Sequence, residues 1–232
     1  MTTSFRENYR SSYNVDLVFC IDTTGSMRDL INMVKRNALS LYDDIQRELR
    51  EHHKNIDRMR VRVVAFKDYL ADGDRAISIS DFFEMPAEAP GLEECVTGLE
   101  ADGGGDTPED GLEALAYAMR SPWNSEGLKK RHIIIVWSDA PTHPIGFGRG
   151  AANYPPNMPA TFSDLSAWWG YENVPGIMDE HAKRLILFTP NAPEWDHIKR
   201  DWNAVSLQPQ ALDAGLTDLQ YEEVISCIVG SI

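Results

Sequence analysis

Short apolar runs alternate along this chain with stretches of helical periodicity. Residues 15–21 form an unbroken apolar run apart from Asp16, as expected of a strand covered on both faces. Residues 29–51 place Leu30, Val34, Leu41, Ile45 and Leu49 at helical spacing against a polar face. Residues 60–67, with Val61, Val63, Val64 and Phe66, predict a second strand. Residues 76–83 alternate after the Asp72-Gly73 turn and predict a short antiparallel edge strand. Helices are predicted over 91–100, 107–120, 194–201 and 217–230, and strands over 132–138, 185–188 and 204–207. The helix from 107 has a mechanism for its start: Thr107 can cap, Pro108 suits the first helical position, and Glu109 and Asp110 suit the first turn. Alternating strands and helices imply an α/β fold, a doubly wound, mostly parallel sheet flanked by helices. No convincing linker or repeat interrupts the pattern. The reading is a tail over 1–13 and one domain over 14–232.

One segment breaks the rhythm. Residues 141–170 hold five prolines and three glycines before Gly170, together with Phe147, Tyr154, Phe162, Trp168 and Trp169. Long connections inside compact domains are often functional. These aromatics either pack the segment onto the body or form a rim for a partner.

Chemistry concentrates where apolar runs end. The first run stops at Asp22, and Thr24 and Ser26 follow at steps of two with Gly25 between them. A strand ending there delivers a carboxylate and two hydroxyls to one sheet edge, the oxygen-rich set a hard divalent cation takes. This Asp-x-Thr-x-Ser run resembles the Asp-x-Ser-x-Ser signature of the von Willebrand factor A (VWA) domain, the first part of its metal-ion-dependent adhesion site. The glycine-rich run 103–110 resembles the VWA loop that supplies a metal-site threonine, here Thr107. The run 133–140 resembles the strand that supplies the last aspartate, here Asp139.

The resemblance implies a VWA fold with a metal site made of Asp22, Thr24, Ser26, Thr107 and Asp139. It implies Ser26 and Thr107 as direct ligands, and Asp22, Thr24 and Asp139 as direct or water-mediated ones. Asp106 either assists Thr107 or replaces it. Mg²⁺ is the expected ion, with Mn²⁺ as substitute. A protein partner's Asp, Glu or C-terminal carboxylate then completes the coordination. The Asp-x-Thr-Gly-Ser-Met and Ser-Asp-Ala-Pro-x-His variants resemble VWA domains of intracellular bacterial proteins and of atypical kinases. An adaptor or scaffold in a stress or defence assembly is the implied role.

Other properties narrow the alternatives. The formal net charge is −14, a field that repels a phosphate backbone. Cys20, Cys95 and Cys227 lack zinc spacing and read as free thiols of a reducing compartment. With no apolar signal core near the N-terminus and no run long enough to span a bilayer, a cytoplasmic location is expected. The enzymatic rival is a Mg²⁺-dependent phosphohydrolase of the haloacid dehalogenase type, with Asp22 as nucleophile. That chemistry needs an acid two residues later, where this chain has Thr24, so no enzyme is expected. His143 reads as exposed or loop-packing. Arg47, Arg50, Lys54, Arg58, Arg60 and Arg62 form either a solvated helix end or a docking patch.

Overall fold

The computed structural model describes residues 11–104, 107–171 and 174–232. Asp106 lies outside the described residues. In chain order the elements are β1 (Ser11–Asp22), α1 (Arg28–Asn37), α2 (Leu41–Glu51), β2 (Lys54–Phe66), α3 (Tyr69–Asp72), β3 (Ile77–Ile79), β4 (Phe83–Met85), α4 (Ala89–Thr97) and α5 (Gly111–Met119). There follow β5 (Lys130–Trp137), α6 (Phe162–Trp169), β6 (Gly170–Tyr171), β7 (Val174–Pro175), β8 (Lys183–Pro190), α7 (Pro193–Asp201), β9 (Val205–Gln210) and α8 (Tyr221–Ser231).

The main sheet has the order β3-β2-β1-β5-β8-β9, and β4 also pairs with β2. The β2-β1-β5-β8-β9 pairs are parallel; β3 and β4 run antiparallel to β2. This is the α/β architecture expected from the sequence. The two-residue period of the strands sorts the core into two halves. Val15, Leu17, Phe19, Ile21, Ile133, Ile135 and Trp137 face one side with α1, α2, α4 and α8. Val18, Cys20, Ile134 and Val136 face the other with α5, α6 and α7. Burial of both faces is why these strands read as continuous apolar runs.

From β1 the chain crosses to β2 on one side, and β5 lies on the other. The strand order therefore reverses between β1 and β5, and loops at their carboxyl ends diverge to leave a crevice. Asp22 ends β1 and Asp139 follows β5, so both stand at that crevice.

Several boundaries differ from the sequence reading, each for a local reason. β1 already starts at Ser11, so the last residues of the expected tail are strand. The long helix over 29–51 is two helices: Asn37 Nδ2 donates to the Met33 carbonyl at 2.8 Å and the Ser40 amide to the Asn37 carbonyl at 3.2 Å, closing a turn. The single edge strand is two, because Ser80 leaves the ladder and its hydroxyl accepts from the Val63 amide at 3.0 Å. The helix expected from Thr107 begins at Gly111. Glu109 instead bridges to Thr142 in a strand-like pairing. The last helix starts at Tyr221, where Gln220 and Glu223 form a capping box.

Residues 141–170 are not a bare loop. They carry a 3-10 turn, Phe147–Gly150, and α6, capped reciprocally by Thr161 and Asp164. Trp169 is fully buried and stacks on Trp202, as does Phe162; Tyr154 packs edge-on against Tyr69. The basic stretch is largely engaged: Arg58 pairs with Glu84, Arg60 with Asp16, and Arg62 donates to the Ser80 carbonyl.

The Asp16–Arg60 pair sits at the sheet end away from the crevice, at 2.6 Å, and Asp16 also accepts from the Asn124 amide at 2.7 Å. Removing one partner of a buried pair strands the other. Asp16→Asn is expected to cost about 3 kcal/mol in urea unfolding while leaving divalent-ion binding intact. A loss under ~0.5 kcal/mol would show that the pair is not needed.

Candidate metal centre

At the crevice, the end of β1 turns on its own side chains. Asp22 is fully buried. Its Oδ1 accepts from the Thr24 amide at 2.9 Å and the Thr24 hydroxyl at 2.7 Å, and its Oδ2 from the Ser138 hydroxyl at 2.7 Å. Gly25 and Ser26 then emerge at the surface in a short 3-10 turn that leads into α1. Ser26 Oγ donates to Asp139 Oδ1 at 3.0 Å. Asp139 is 1% exposed, and its Oδ2 accepts from the Gly215 amide at 2.7 Å. Its carbonyl accepts from the Asp213 amide at 2.8 Å. A glycine is required at 215: its φ is +62°, and a Cβ there would meet the Ser26 carbonyl at 2.2 Å. Trp195 Nε1 pins the chain just past Asp139 by donating to the Ala140 carbonyl at 3.1 Å.

Four of the five expected residues therefore converge: Asp22 with Thr24, and Ser26 with Asp139. The two pairs are joined through Ser138, the neighbour of Asp139, and by the proximity of the two aspartates. Thr107 is exposed, and among the described residues no hydrogen bond ties its hydroxyl to the other four. Its loop nonetheless passes the site. A Cβ on Gly104 would lie 3.0 Å from Thr24 Cγ2 and 3.2 Å from Glu109 Oε1.

Two residues were passed over by the motif reading. Ser138 fixes the inner oxygen of Asp22. Glu109 is 4% exposed, and its Oε2 has no hydrogen-bond partner. The sequence carried a signal for it: an acid two residues past Thr107, in a segment read as a helix start.

Burial sets the electrostatics. It pushes the Asp22 carboxyl up to about 6 against the hydrogen bonds from Thr24 and Ser138. It pushes Glu109 up to about 9, with the charges of Asp22, Asp68, Asp72 and Asp110 adding to it. Asp110 rises to about 6 and Glu113 to about 7, again chiefly through burial. Lys67, the nearest buried cation in sequence, is paired with Asp102. Among the described residues no Lys or Arg side chain pairs with Asp22, Glu109, Asp110 or Asp139. Buried carboxylates without a cationic partner carry a large desolvation cost. An orphaned carboxylate oxygen, two buried aspartates and an exposed serine hydroxyl fit a hard divalent ion by donor type.

Further along the same edge, Asp68, Asp110 and His143 each present a potential ligand atom, all within 4.8 Å of one another. Of the two readings of His143, loop packing holds: it is buried, Nε2 lies 2.9 Å from Asp68 Oδ2 and the ring stacks on Phe147 at 3.8 Å.

A stability trend follows from the raised carboxyls. Each binds its proton more tightly in the folded than in the unfolded chain, so its contribution is greatest at acid pH and is lost as pH rises through its folded value. In EDTA, Tm is expected to fall from about pH 5, where the unfolded carboxyls have ionised, to about pH 9, the slope easing as Glu113 ionises and ending as Glu109 does. Glu109→Gln should flatten the upper part of that slope. A scanning-calorimetry Tm constant across this window would contradict the electrostatics described.

The model of the von Willebrand factor A domain matches residues 16–143. The α-protein kinase vwkA of Dictyostelium discoideum is 27% identical over 150 residues, covering 65% of this chain and 22% of the kinase. A putative ariadne-like RING finger protein of Acanthamoeba polyphaga mimivirus is 28% identical over 129 residues, covering 56% of this chain and 11% of that protein. The chain thus spans a quarter or less of the length of these relatives. Among solved structures, the PilB minor pilin of Streptococcus sanguinis has a TM-score of 0.51 at 16% identity, covering 93% of this chain and 61% of the pilin. The pilus adhesin SpaC of Lactobacillus rhamnosus GG has a TM-score of 0.51 at 11% identity, covering 93% of this chain and 30% of the adhesin. Proximal thread matrix protein 1 of the mussel byssus gives 0.52 at 11%, covering 96% of this chain and 49% of that protein. At these identities the structures speak to fold alone. The family match, covering more than half the chain, and the motif residues gathered at the β1–β5 crevice place this chain in the von Willebrand factor A domain family.

Proposed function

We propose that this domain is a protein-interaction module whose contact surface is a Mg²⁺ site, with Mn²⁺ as substitute, at the β1–β5 crevice. Ser26, Asp139 and Thr107 would hold the ion, with Asp22 and Thr24 behind them. A bound dication supplies Lewis-acidic positions that a partner's Asp, Glu or C-terminal carboxylate can fill in place of water. The observation that carries the reading is the asymmetry of the cluster. Asp22 is sealed and accepts three hydrogen bonds inside the protein, whereas Ser26 and Thr107 are exposed. The chain's own residues therefore hold charge at depth and leave hydroxyls toward an incoming ligand. Ser26 keeps Asp139 aimed across the crevice, and the Gly215 amide fixes the far oxygen of that carboxylate.

The same geometry argues against the phosphohydrolase alternative. A nucleophilic aspartate needs a free oxygen facing substrate, and both Asp22 oxygens are engaged inside the protein. Thr24 donates to Asp22 and cannot act as a general acid near neutral pH. We therefore propose a binding and not a catalytic role, in the cytoplasm, as an adaptor or scaffold. A place in a stress or defence assembly remains part of this proposal.

Calorimetry with Mg²⁺ or Mn²⁺ is expected to show binding that Asp139→Asn weakens by at least about tenfold, or ~1.4 kcal/mol. An array of Asp- and Glu-bearing peptides should be retained in Mg²⁺ and released by EDTA and by Thr107→Ala. No phosphate ester should be turned over. Retention unchanged in EDTA, or Mg²⁺-dependent phosphatase activity lost in Asp22→Asn, would overturn the reading.

A further inference from the structure

A second set of donors lies beyond Glu109, at the end of β2. Asp68 follows that strand, Asp110 precedes α5, and His143 lies on the segment after Asp139. All three are at least nine-tenths buried, with a ligand atom from each mutually within 4.8 Å. The backbone holds them in place. Asp68 Oδ1 accepts from the Leu70 and Ala71 amides, both at 2.6 Å, as the cap of α3. Asp110 Oδ2 accepts from the Tyr69 amide at 2.7 Å. The His143 amide donates to the Glu109 carbonyl at 2.8 Å, and the imidazole is clamped by Phe147.

Hydrogen bonds inside the protein do not satisfy this set. Asp110 is 1% exposed, yet its Oδ1 accepts from nothing. Such an oxygen normally costs free energy unless something else occupies it. Among the described residues no Lys or Arg pairs with Asp68 or Asp110; His143 is the sole basic partner, through Asp68. The 2.9 Å between His143 Nε2 and Asp68 Oδ2 is also the spacing of adjacent ligands on one ion. Bonds of about 2.1 Å meeting near a right angle put neighbouring donors ~3 Å apart.

We propose that Asp68, Asp110 and His143 form a second cation site, separate from the Ser26–Asp139 cluster, which takes a first-row transition dication of the Mn²⁺ class. The donor set selects the ion. Two carboxylates suit a hard dication, and the imidazole favours a transition metal over Mg²⁺. Asp68 is oriented by the α3 amides, and the ring by its stack on Phe147, which is the outer support such ligands need. The ion would neutralise the inner end of the acidic column that runs from Asp22 through Glu109 to Asp110.

Equilibrium dialysis against Mn²⁺, with the metal counted per chain, tests this. Wild type is expected to hold one ion at His143 in addition to any at Ser26. His143→Gln and Asp110→Asn should each lower the count by one, with circular dichroism unchanged. Asp139→Asn should leave the His143 ion in place. In pulsed paramagnetic resonance, wild-type protein saturated with Mn²⁺ should show nitrogen coupling from an imidazole, lost in His143→Gln. A wild type with no nitrogen coupling overturns the site even where the variants fail to fold. A count unchanged in both folded variants overturns it too, and leaves an Asp68–His143 hydrogen bond beside an unpartnered Asp110 oxygen. If instead Asp139→Asn binds as much Mn²⁺ as wild type, the Ser26–Asp139 reading fails while this one stands.

Discussion

The constraint on which this structure turns is the burial of carboxylates at one sheet edge with no Lys or Arg among the described residues paired to them. Asp22, Glu109, Asp110 and Asp139 are each at most 4% exposed. Their hydrogen bonds come from hydroxyls and amides, apart from oxygens that have none. A fold built only for stability would replace such a cluster with apolar groups, since buried charge rarely repays its desolvation. Local support from Ser138, Thr24 and Gly215 holds the acids in place without neutralising them. The arrangement suits the cation site proposed above, with stability given up at the site and recovered in the two apolar halves of the core.

Topology explains why the acids meet. The chain leaves β1 toward β2 and returns on the other side as β5, so the carboxyl ends of two adjacent parallel strands open a crevice. Glu109 is drawn into the same place by its strand-like pairing with Thr142. Gly104 lies against Thr24 at this place, and the segment after Asp139 pairs with Glu109 and brings His143 beside Asp68.

Much of this was legible in the sequence. The apolar runs of β1 and β5, ending at or just before an acid, named both the strands and the site, because strands buried on two faces leave little ambiguity of period. Asp22, Thr24 and Ser26 stood out where the first run ends, and Asp139 through the resemblance of its run to the VWA strand; the structure brings the four to one crevice. Where the sequence misled, a side chain competed locally with the backbone pattern. Asn37 and Ser40 split one predicted helix, and Ser80 split one predicted strand. Thr107-Pro-Glu-Asp had every sign of a helix start, yet tertiary pairing of Glu109 postponed the helix to Gly111. Glu109 and His143 were the least legible. Both lie in polar, proline-rich stretches, and the pairing of 109 with 142, with Asp68 and Phe147 against His143, buries them.

A crystal structure of the protein grown with Mn²⁺, read by anomalous scattering at the manganese edge, tests the central claim most directly. The account predicts an anomalous peak in the β1–β5 crevice within about 2.3 Å of Ser26 Oγ, in the range of hard-cation bonds to oxygen, with Asp139 beside it. A crevice without anomalous density at saturating Mn²⁺, with Ser26 still bonded to Asp139, would contradict it.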